Sequence, residues 1–188
     1  MTKLISILLL TCATLHAQSV IVKGTGAGNI RGTGAGSVRG VAVAAHTDYC
    51  DGKFRIFDSQ TNVVLDTENG ITWTRDAGIG NEGDWTNAVD YCDNLETNGY
   101  SDWRLPSVAK DGGAGEWESL TDTGENQPAL TPGHPFINVR GTDYYWSSIT
   151  LSADTNKAWV LDMVGGAVGS FDKTSPEYPF YIWPCRGP

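Results

Sequence analysis

The stretch Gly99-Tyr100-Ser101-Asp102-Trp103-Arg104-Leu105-Pro106-Ser107 decides how this chain is interpreted. A turn residue, two large aromatic rings and a proline of fixed φ stand within nine positions, so the backbone there must be held in one shape. Trp103 and Arg104 could stack on a sugar and bond to it. A structural role is favoured, in which Trp103 is buried, Arg104 clamps a carboxylate or backbone carbonyls, and Pro106 fixes the connection from a helix to a sheet.

A helix is predicted directly before this stretch. Asp84 is a favourable N-cap, and five apolar residues follow it at spacings of three and four, which places them on one face: Trp85, Ala88, Val89, Cys92 and Leu95. The pair Asn98-Gly99 is typical of a helix end. Cys92 is therefore expected to point into the core.

Short segments of strand character lie on both sides of this helix. Residues 54–58, 62–66 and 71–74 precede it, and Asn69-Gly70 predicts a hairpin between the last two. Residues 116–120 form a short helical segment, and strand-like segments return between 144 and 183. The pattern predicts an α+β fold with antiparallel sheets, one main helix and one short helix. The segment 121–141 contains three prolines and little periodicity, which is typical of a functional or mobile loop.

The N-terminal region predicts export. Lys3 precedes an apolar run, and Ala17 is a small residue suited to cleavage, so residues 1–17 are interpreted as a secretory signal peptide. Residues 18–45 contain a glycine-rich octapeptide that occurs twice and lacks the third glycine of a dinucleotide-binding motif, which favours an extended stalk. The folded domain is predicted over residues 46–188.

The charge of the chain disfavours two classes of partner. The formal net charge is -9 and the sequence pI is about 4.6, whereas nucleic acids and anionic membrane surfaces attract clustered Lys and Arg. Beyond the signal peptide no segment approaches the ~18 consecutive apolar residues that span a bilayer. Neither nucleic-acid binding nor membrane insertion is therefore expected.

The nucleophilic and metal-ligating residues are few. After cleavage the chain keeps Cys50, Cys92 and Cys185, an odd number that suggests one pair and one leftover thiol in an oxidising compartment. Their spacing does not fit a zinc site. His46 and His134 are the remaining histidines, and no recognisable nucleophile motif is present. We expect no enzyme activity, no cofactor and no metal.

Several ordered motifs carry a resemblance to a known family. They are Gly70-Ile71-Thr72-Trp73, Trp85 through Cys92, Gly99 through Pro106, Tyr145-Trp146-Ser147-Ser148, Ala158-Trp159, Val168 through Lys173 and Cys185-Arg186. In this order they resemble the C-terminal domain of Legionella collagen-like protein and its bacterial relatives, over roughly residues 53 to 187. The insertion 111–115 departs from that pattern, and the collagen repeats are absent.

The resemblance implies a fold and several site assignments. It implies a C-type-lectin-like domain in which Cys92 is joined to Cys185 by a disulfide. Calcium-dependent lectins carry Glu-Pro-Asn or Gln-Pro-Asp in a long loop, where this chain has 125–129 with Ala129 in place of a carboxylate, so no calcium site of that kind is expected. The family's adhesin binds sulfated polysaccharides, but the acidity of this chain does not favour such ligands.

These observations predict a secreted or cell-surface, non-enzymatic binding module of a bacterium, which recognises an extracellular polysaccharide or a surface protein. The candidate ligand-binding residues are the polar side chains of the loops: Glu125, Asn126, Asp143 and Asn156. The alternative is a structural envelope component or extracellular assembly component. Either protein could form a homo-oligomer through Cys50 or through the stalk.

Overall fold

The computed structural model describes residues 52–57, 59–174 and 180–187 with their side chains, and residues 49–50 as backbone. The predicted signal peptide, the stalk and the predicted start of the domain at residue 46 lie outside these residues. The side chain of Cys50 lies outside the described part as well. None of the helices in the described residues is long and apolar enough to cross a membrane.

Ten short strands and two helices make up the described chain. In chain order the elements are β1 (Tyr49–Cys50), β2 (Phe54–Ile56), β3 (Val63–Asp66), β4 (Thr72–Thr74), β5 (Glu82–Gly83), α1 (Trp85–Asp93), α2 (Glu116–Leu120), β6 (Tyr144–Thr150), β7 (Lys157–Asp162), β8 (Ala167–Asp172), β9 (Phe180–Tyr181) and β10 (Cys185–Arg186). The architecture is mostly sheet with few helices, which is compatible with the predicted α+β class.

The strands form two five-stranded sheets. The first sheet has the order β1-β2-β3-β4-β10, with every neighbouring pair antiparallel. The second sheet has the order β5-β9-β6-β7-β8 and is antiparallel except for β6 and β9, which are parallel. The last two strands of the chain therefore enter different sheets, and they tie the C-terminal region to both.

The second sheet is covered on both faces. Successive residues of a strand point to opposite faces, so Tyr145 and Trp146 enter two different cores. Tyr145 faces the first sheet and α2, where Trp73, Trp117 and Trp183 pack with ring centroids 5.3 to 5.8 Å apart. Trp146 faces α1. The aromatic residues thus fill the layers that position the loops.

Helix α1 begins where the sequence predicts and ends earlier. The Asp84 carboxylate accepts a hydrogen bond from the Asn87 backbone N–H at 2.7 Å, as an N-cap does. The helix ends at Asp93 with Asn94 as its C-cap, whose backbone N–H makes the last helical bond, to the Asp90 carbonyl. The Asn94 side chain donates to the same carbonyl, and the next N–H, that of Leu95, bonds only three residues back, to the Cys92 carbonyl. The predicted end at Asn98-Gly99 is therefore wrong by about one turn.

The long loop between α2 and β6 is tied to both sheets. The Ala129 N–H donates to the Met163 carbonyl at 2.9 Å, and the Ile137 N–H donates to the Arg75 carbonyl at 2.9 Å. Leu130 and Phe136 are buried in the core between the two sheets. These contacts explain why a segment without periodicity is still an ordered part of the fold.

Candidate binding surface

The stretch Gly99–Ser107 has a buried half and a surface half. Trp103 and Leu105 are each 2% exposed, and Pro106 and Ser107 are also buried. Gly99, Ser101 and Asp102 are exposed. The change from surface to core occurs between Asp102 and Trp103, so the two halves have different physical roles.

Arg104 and Glu116 form a salt bridge in the buried half. The Arg104 Nη1 atom lies 2.7 Å from Glu116 Oε2, and the Nη2 atom lies 2.5 Å from Oε1. Glu116 Oε2 also accepts hydrogen bonds from the Ser107 backbone N–H at 2.8 Å and from the Ser107 hydroxyl at 3.0 Å. The Glu116 side chain is only 7% exposed, and these donors replace the water that it loses on burial.

Arg104 also ties the stretch to the end of the chain. Its backbone N–H and C=O exchange hydrogen bonds of 2.9 Å with Cys185 in β10, and its Nη2 donates to the Gly187 carbonyl at 2.8 Å. Helix α2 is bonded to the same stretch, because the Trp117 N–H donates to the Ser107 carbonyl at 3.0 Å. Arg104 therefore links its own stretch to α2 and to the C-terminal residues 185–187.

The protonation behaviour of Glu116 follows from these contacts. Burial by itself would raise the pKa of the Glu116 carboxyl, but the hydrogen bonds from Arg104 and Ser107 lower it below its ordinary value. The hydrogen bond to Glu116 in turn raises the pKa of Arg104. Both side chains are charged at neutral pH, so the pair stabilises the fold as an ion pair.

The predicted disulfide between Cys92 and Cys185 is not formed in the structure, in which both are buried free thiols. Cys92 belongs to the core beneath α1, and Cys185 belongs to the core between the sheets. The Cys185 sulfur lies 3.3 Å from Arg104 Nη1 and 3.9 Å from Glu116 Oε2. It is therefore a member of the polar cluster around Glu116, and no bond joins it to Cys92 in the structure.

The surface half of the stretch belongs to a small hairpin. Thr97 and Tyr100 exchange two backbone hydrogen bonds of 3.0 and 3.1 Å, and Asn98 and Gly99 between them have φ values of 53° and 77°. A two-residue turn with both φ values positive matches the right-handed twist of a hairpin. The Asn-Gly pair thus makes a hairpin turn and does not cap a helix.

An ion pair and an aromatic ring lie beside this hairpin. Arg186 donates to both oxygens of Asp102, at 2.6 and 2.9 Å, and its guanidinium carbon lies 3.8 Å from the centroid of the Tyr100 ring. The hydrogen bond from Arg186 lowers the pKa of Asp102. The Tyr100 hydroxyl accepts a hydrogen bond from Gln60 at 3.0 Å. Residues 96–101 line an open depression of about 440 Å³. We call residues 96–102 and Arg186 the Tyr100 surface.

The predicted ligand-binding residues are divided between two ends of the second sheet. The backbone next to Glu125 and Asn126 is bonded to the turn between β7 and β8, through the Gln127 N–H and the Val164 carbonyl at 3.1 Å. The Asp143 carbonyl accepts from the Met163 N–H at 3.0 Å at that same end.

Asn156 lies at the opposite end, directly before β7, where its carbonyl accepts from the Lys173 N–H at 2.9 Å. All six residues of β7 separate it from the turn that is bonded to Gln127. The four residues therefore do not converge on one concavity, and Asn156 is not part of a site with the other three.

Many of the acidic side chains cap turns of the backbone. Asp66, Asp76, Asp122, Asp154 and Asp162 each accept a hydrogen bond from a backbone N–H two residues further on. This is the usual role of Asp in turns. Among the described residues no group of three His, Cys, Asp or Glu side chains is placed to hold a metal ion.

Sequence reasoning assigned the whole stretch to one role, and it did not separate Tyr100 and Asp102 from the buried residues. The Asn98-Gly99 pair carried the signal, because this dipeptide is also the strongest short-range sign of a hairpin turn. Arg186 could not be placed, since its contact with Asp102 depends on the pairing of β10 with the first sheet.

The fold and these surfaces define a small, β-rich α+β domain with loops held on a rigid core. The family model of the Lcl C-terminal domain matches residues 62–186, and the chain belongs to this family. No curated protein matches the chain. The family match includes α1, the stretch Gly99–Ser107, Glu116 and Arg186.

The replacement Glu116→Gln is expected to lower the free energy of unfolding by about 1–3 kcal/mol at pH 7, since it removes the buried carboxylate that accepts hydrogen bonds from Arg104 and Ser107. The folded-state pKa of Glu116 is below the ordinary value of 4.5, so its contribution is complete above that pH and is lost as the pH falls through the folded-state pKa. The unfolding free energy of the variant should therefore fall less steeply below about pH 4.5. Chemical denaturation between pH 2 and 7 measures both effects.

Glu118→Gln provides the matched control, because Glu118 is an exposed carboxylate on the same helix. It should change the unfolding free energy by less than about 1 kcal/mol. Two outcomes would contradict the role given to the Arg104–Glu116 pair. One is equal destabilisation by the two variants. The other is an unfolding free energy of Glu116→Gln that falls with acid as steeply as that of the unchanged protein.

The thiols of Cys92 and Cys185 are expected to resist alkylation in the native protein. Burial raises the pKa of Cys92 to about 12 and also raises that of Cys185, and only the thiolate reacts. Iodoacetamide at pH 8 should label both at least ~100-fold more slowly than a free model thiol and label both after denaturation without reductant. Peptide mapping measures this, and recovery of a Cys92–Cys185 bridged peptide would contradict it.

Proposed function

We propose that the protein is a secreted or cell-surface, non-enzymatic binding module with a C-type-lectin-like domain on a glycine-rich stalk, and that the domain recognises an extracellular polysaccharide. The observation that carries this proposal is the Tyr100 surface, an open polar depression beside an aromatic ring on a rigid hairpin. Ligand sites combine a concave shape with a few fixed polar groups.

The Tyr100 surface is arranged before any ligand binds. The hairpin turn fixes Asn98 and Gly99, and Arg186 holds both the Tyr100 ring and the Asp102 carboxylate. The buried half of the stretch anchors this arrangement directly to the core. A surface that is already ordered loses little conformational entropy on binding, which favours measurable affinity from a small contact area.

The charges of the surface indicate which polysaccharides fit. Arg186 is the single basic residue of the surface and is paired with Asp102, and Glu96 adds a second carboxylate. The balance is acidic, so sulfated or otherwise anionic chains are repelled. Carboxylates and hydroxyls suit the hydroxyl groups of an uncharged polysaccharide, and the ring adds apolar contact area.

Binding of the intact domain to an array of neutral, basic and sulfated glycans tests the proposal. We expect retention of uncharged glycans, and at least a tenfold loss of affinity in Tyr100→Ala, since a ring contact contributes on the order of 1.4 kcal/mol or more. Tyr100→Phe should retain most of the affinity, because it keeps the ring. Circular dichroism and thermal unfolding verify that each variant is folded.

Asn126→Ala serves as the control, since Asn126 is an exposed residue of the other candidate surface. It should bind like the unchanged protein. Loss of binding in Asn126→Ala with full binding in Tyr100→Ala would move the site to the long loop. Binding to a surface protein alone, or to no glycan, would reject the polysaccharide as ligand.

A further inference from the structure

Strand β8 forms one edge of the second sheet. It pairs with β7 from Ala167 to Asp172 over six consecutive residues and without a shift in register. In the described part of the chain no strand pairs with its other side. Both ends of the strand are exposed and its four central residues are half-buried. The edge is therefore long and regular, and no described strand pairs with its outer side.

The register shows which backbone groups of β8 point away from the sheet. The Lys173 N–H donates to the Asn156 carbonyl, and bonded pairs alternate along an antiparallel ladder. Phe171 and Gly169 are therefore in bonded pairs with β7. The N–H and C=O groups of Val168, Ser170 and Asp172 point outward.

Among the described residues, this edge lacks the features that usually block further pairing. Edge strands of soluble proteins are protected by proline, lysine, a bulge or a covering segment. Residues 167–172 contain no proline and no lysine, and their ladder is regular. Lys173 follows directly, but its ammonium group lies 4.0 Å from the centroid of the Trp85 ring and donates to Thr150 Oγ1 at 2.8 Å. It is directed toward its own domain.

We propose that β8 is a self-association edge, on which β8 of a second copy of this chain pairs in antiparallel fashion about a twofold axis at Ser170. In a continuous sheet, paired residues share a face, so only residues of equal parity can be opposite each other. The register centred on Ser170 meets this condition. It pairs Ser170 with the partner's Ser170, and Val168 with the partner's Asp172.

The same register is complementary in charge and in volume. Asp172 faces a valine and never a second Asp172, so no like charges are opposed. Gly169 faces the partner's Phe171, and because Gly169 has no side chain, it leaves room for that residue. The two copies use one identical surface, which closes the assembly as a dimer. The product is a continuous ten-stranded sheet.

This interaction is distinct from the Tyr100 surface and from association through Cys50 or the stalk. Two six-residue strands bury less area than a standard interface of ~1,600 Å², so a reversible dimer is expected. A dimer would present two copies of the proposed binding surface, which raises avidity for a repeating polymer without any new contact.

Site-specific crosslinking tests the register. Every variant carries Cys50→Ser, in the chain that lacks only its predicted signal peptide. Ser170→Cys should form a disulfide-linked dimer on mild oxidation, because paired residues in a bonded antiparallel position are about 5.5 Å apart at Cα, within disulfide range. Val168→Cys and Asp172→Cys should each stay monomeric alone and should crosslink when mixed.

Sedimentation measures the unlinked equilibrium. The apparent mass of the Cys50→Ser chain should rise with concentration toward twice the monomer value. Ser170→Lys should weaken association at least tenfold, since it opposes two charges at the axis, whereas Thr86→Lys on the exposed side of α1 should not. A monomer at all concentrations, a dimer that persists in Ser170→Lys, or equal crosslinking at Ser170 and Asp172 would overturn the proposal.

Discussion

The salt bridge between Arg104 and Glu116 is the interaction on which the rest of the structure depends. It joins helix α2 to the stretch Gly99–Ser107, and the Arg104 backbone joins that stretch to β10. A buried carboxylate is costly without donors, and here the donors come from residues 9 and 12 positions away in the sequence. The pair therefore holds these segments in one arrangement.

The position of this ion pair explains how one half of a short stretch can anchor the fold while the other half presents an exposed surface. From Trp103 onward the side chains are fixed in the cores and by the Glu116 cluster, while Thr97 to Asp102 form a hairpin at the surface. A surface loop attached to such an anchor is ordered without being buried. This combination of a rigid anchor and an exposed polar depression is the physical basis of the proposed binding function.

Local chemistry made the element types predictable. The N-cap at Asp84, the apolar face of α1 and the short strands follow from residue type and spacing alone. The helix end was not predictable in this way, because Asn98-Gly99 suits a helix end and a hairpin turn equally, and Asn94 ended the helix first.

Residues that meet only through sheet pairing could not be placed from the sequence. The separation of Asn156 from Asp143 depends on the length and direction of β7, and the contact of Arg186 with Tyr100 depends on β10 joining the first sheet. The expected Cys92–Cys185 disulfide came from family resemblance, whereas the structure directs the Cys185 sulfur toward Arg104 and Glu116. The candidate site consequently includes the surface half of the stretch and not the long loop.

Native-state hydrogen exchange tests most directly whether the stretch is divided into an anchor and a surface. The amides of Arg104, Ser107 and Cys185 should exchange only through global unfolding, with a free energy equal to that of denaturant unfolding, because each is bonded within the buried cluster. The amides of Thr97 and Tyr100 should exchange through local opening at a lower free energy. Exchange of the Arg104 and Cys185 amides at the free energy of the hairpin amides would contradict the account.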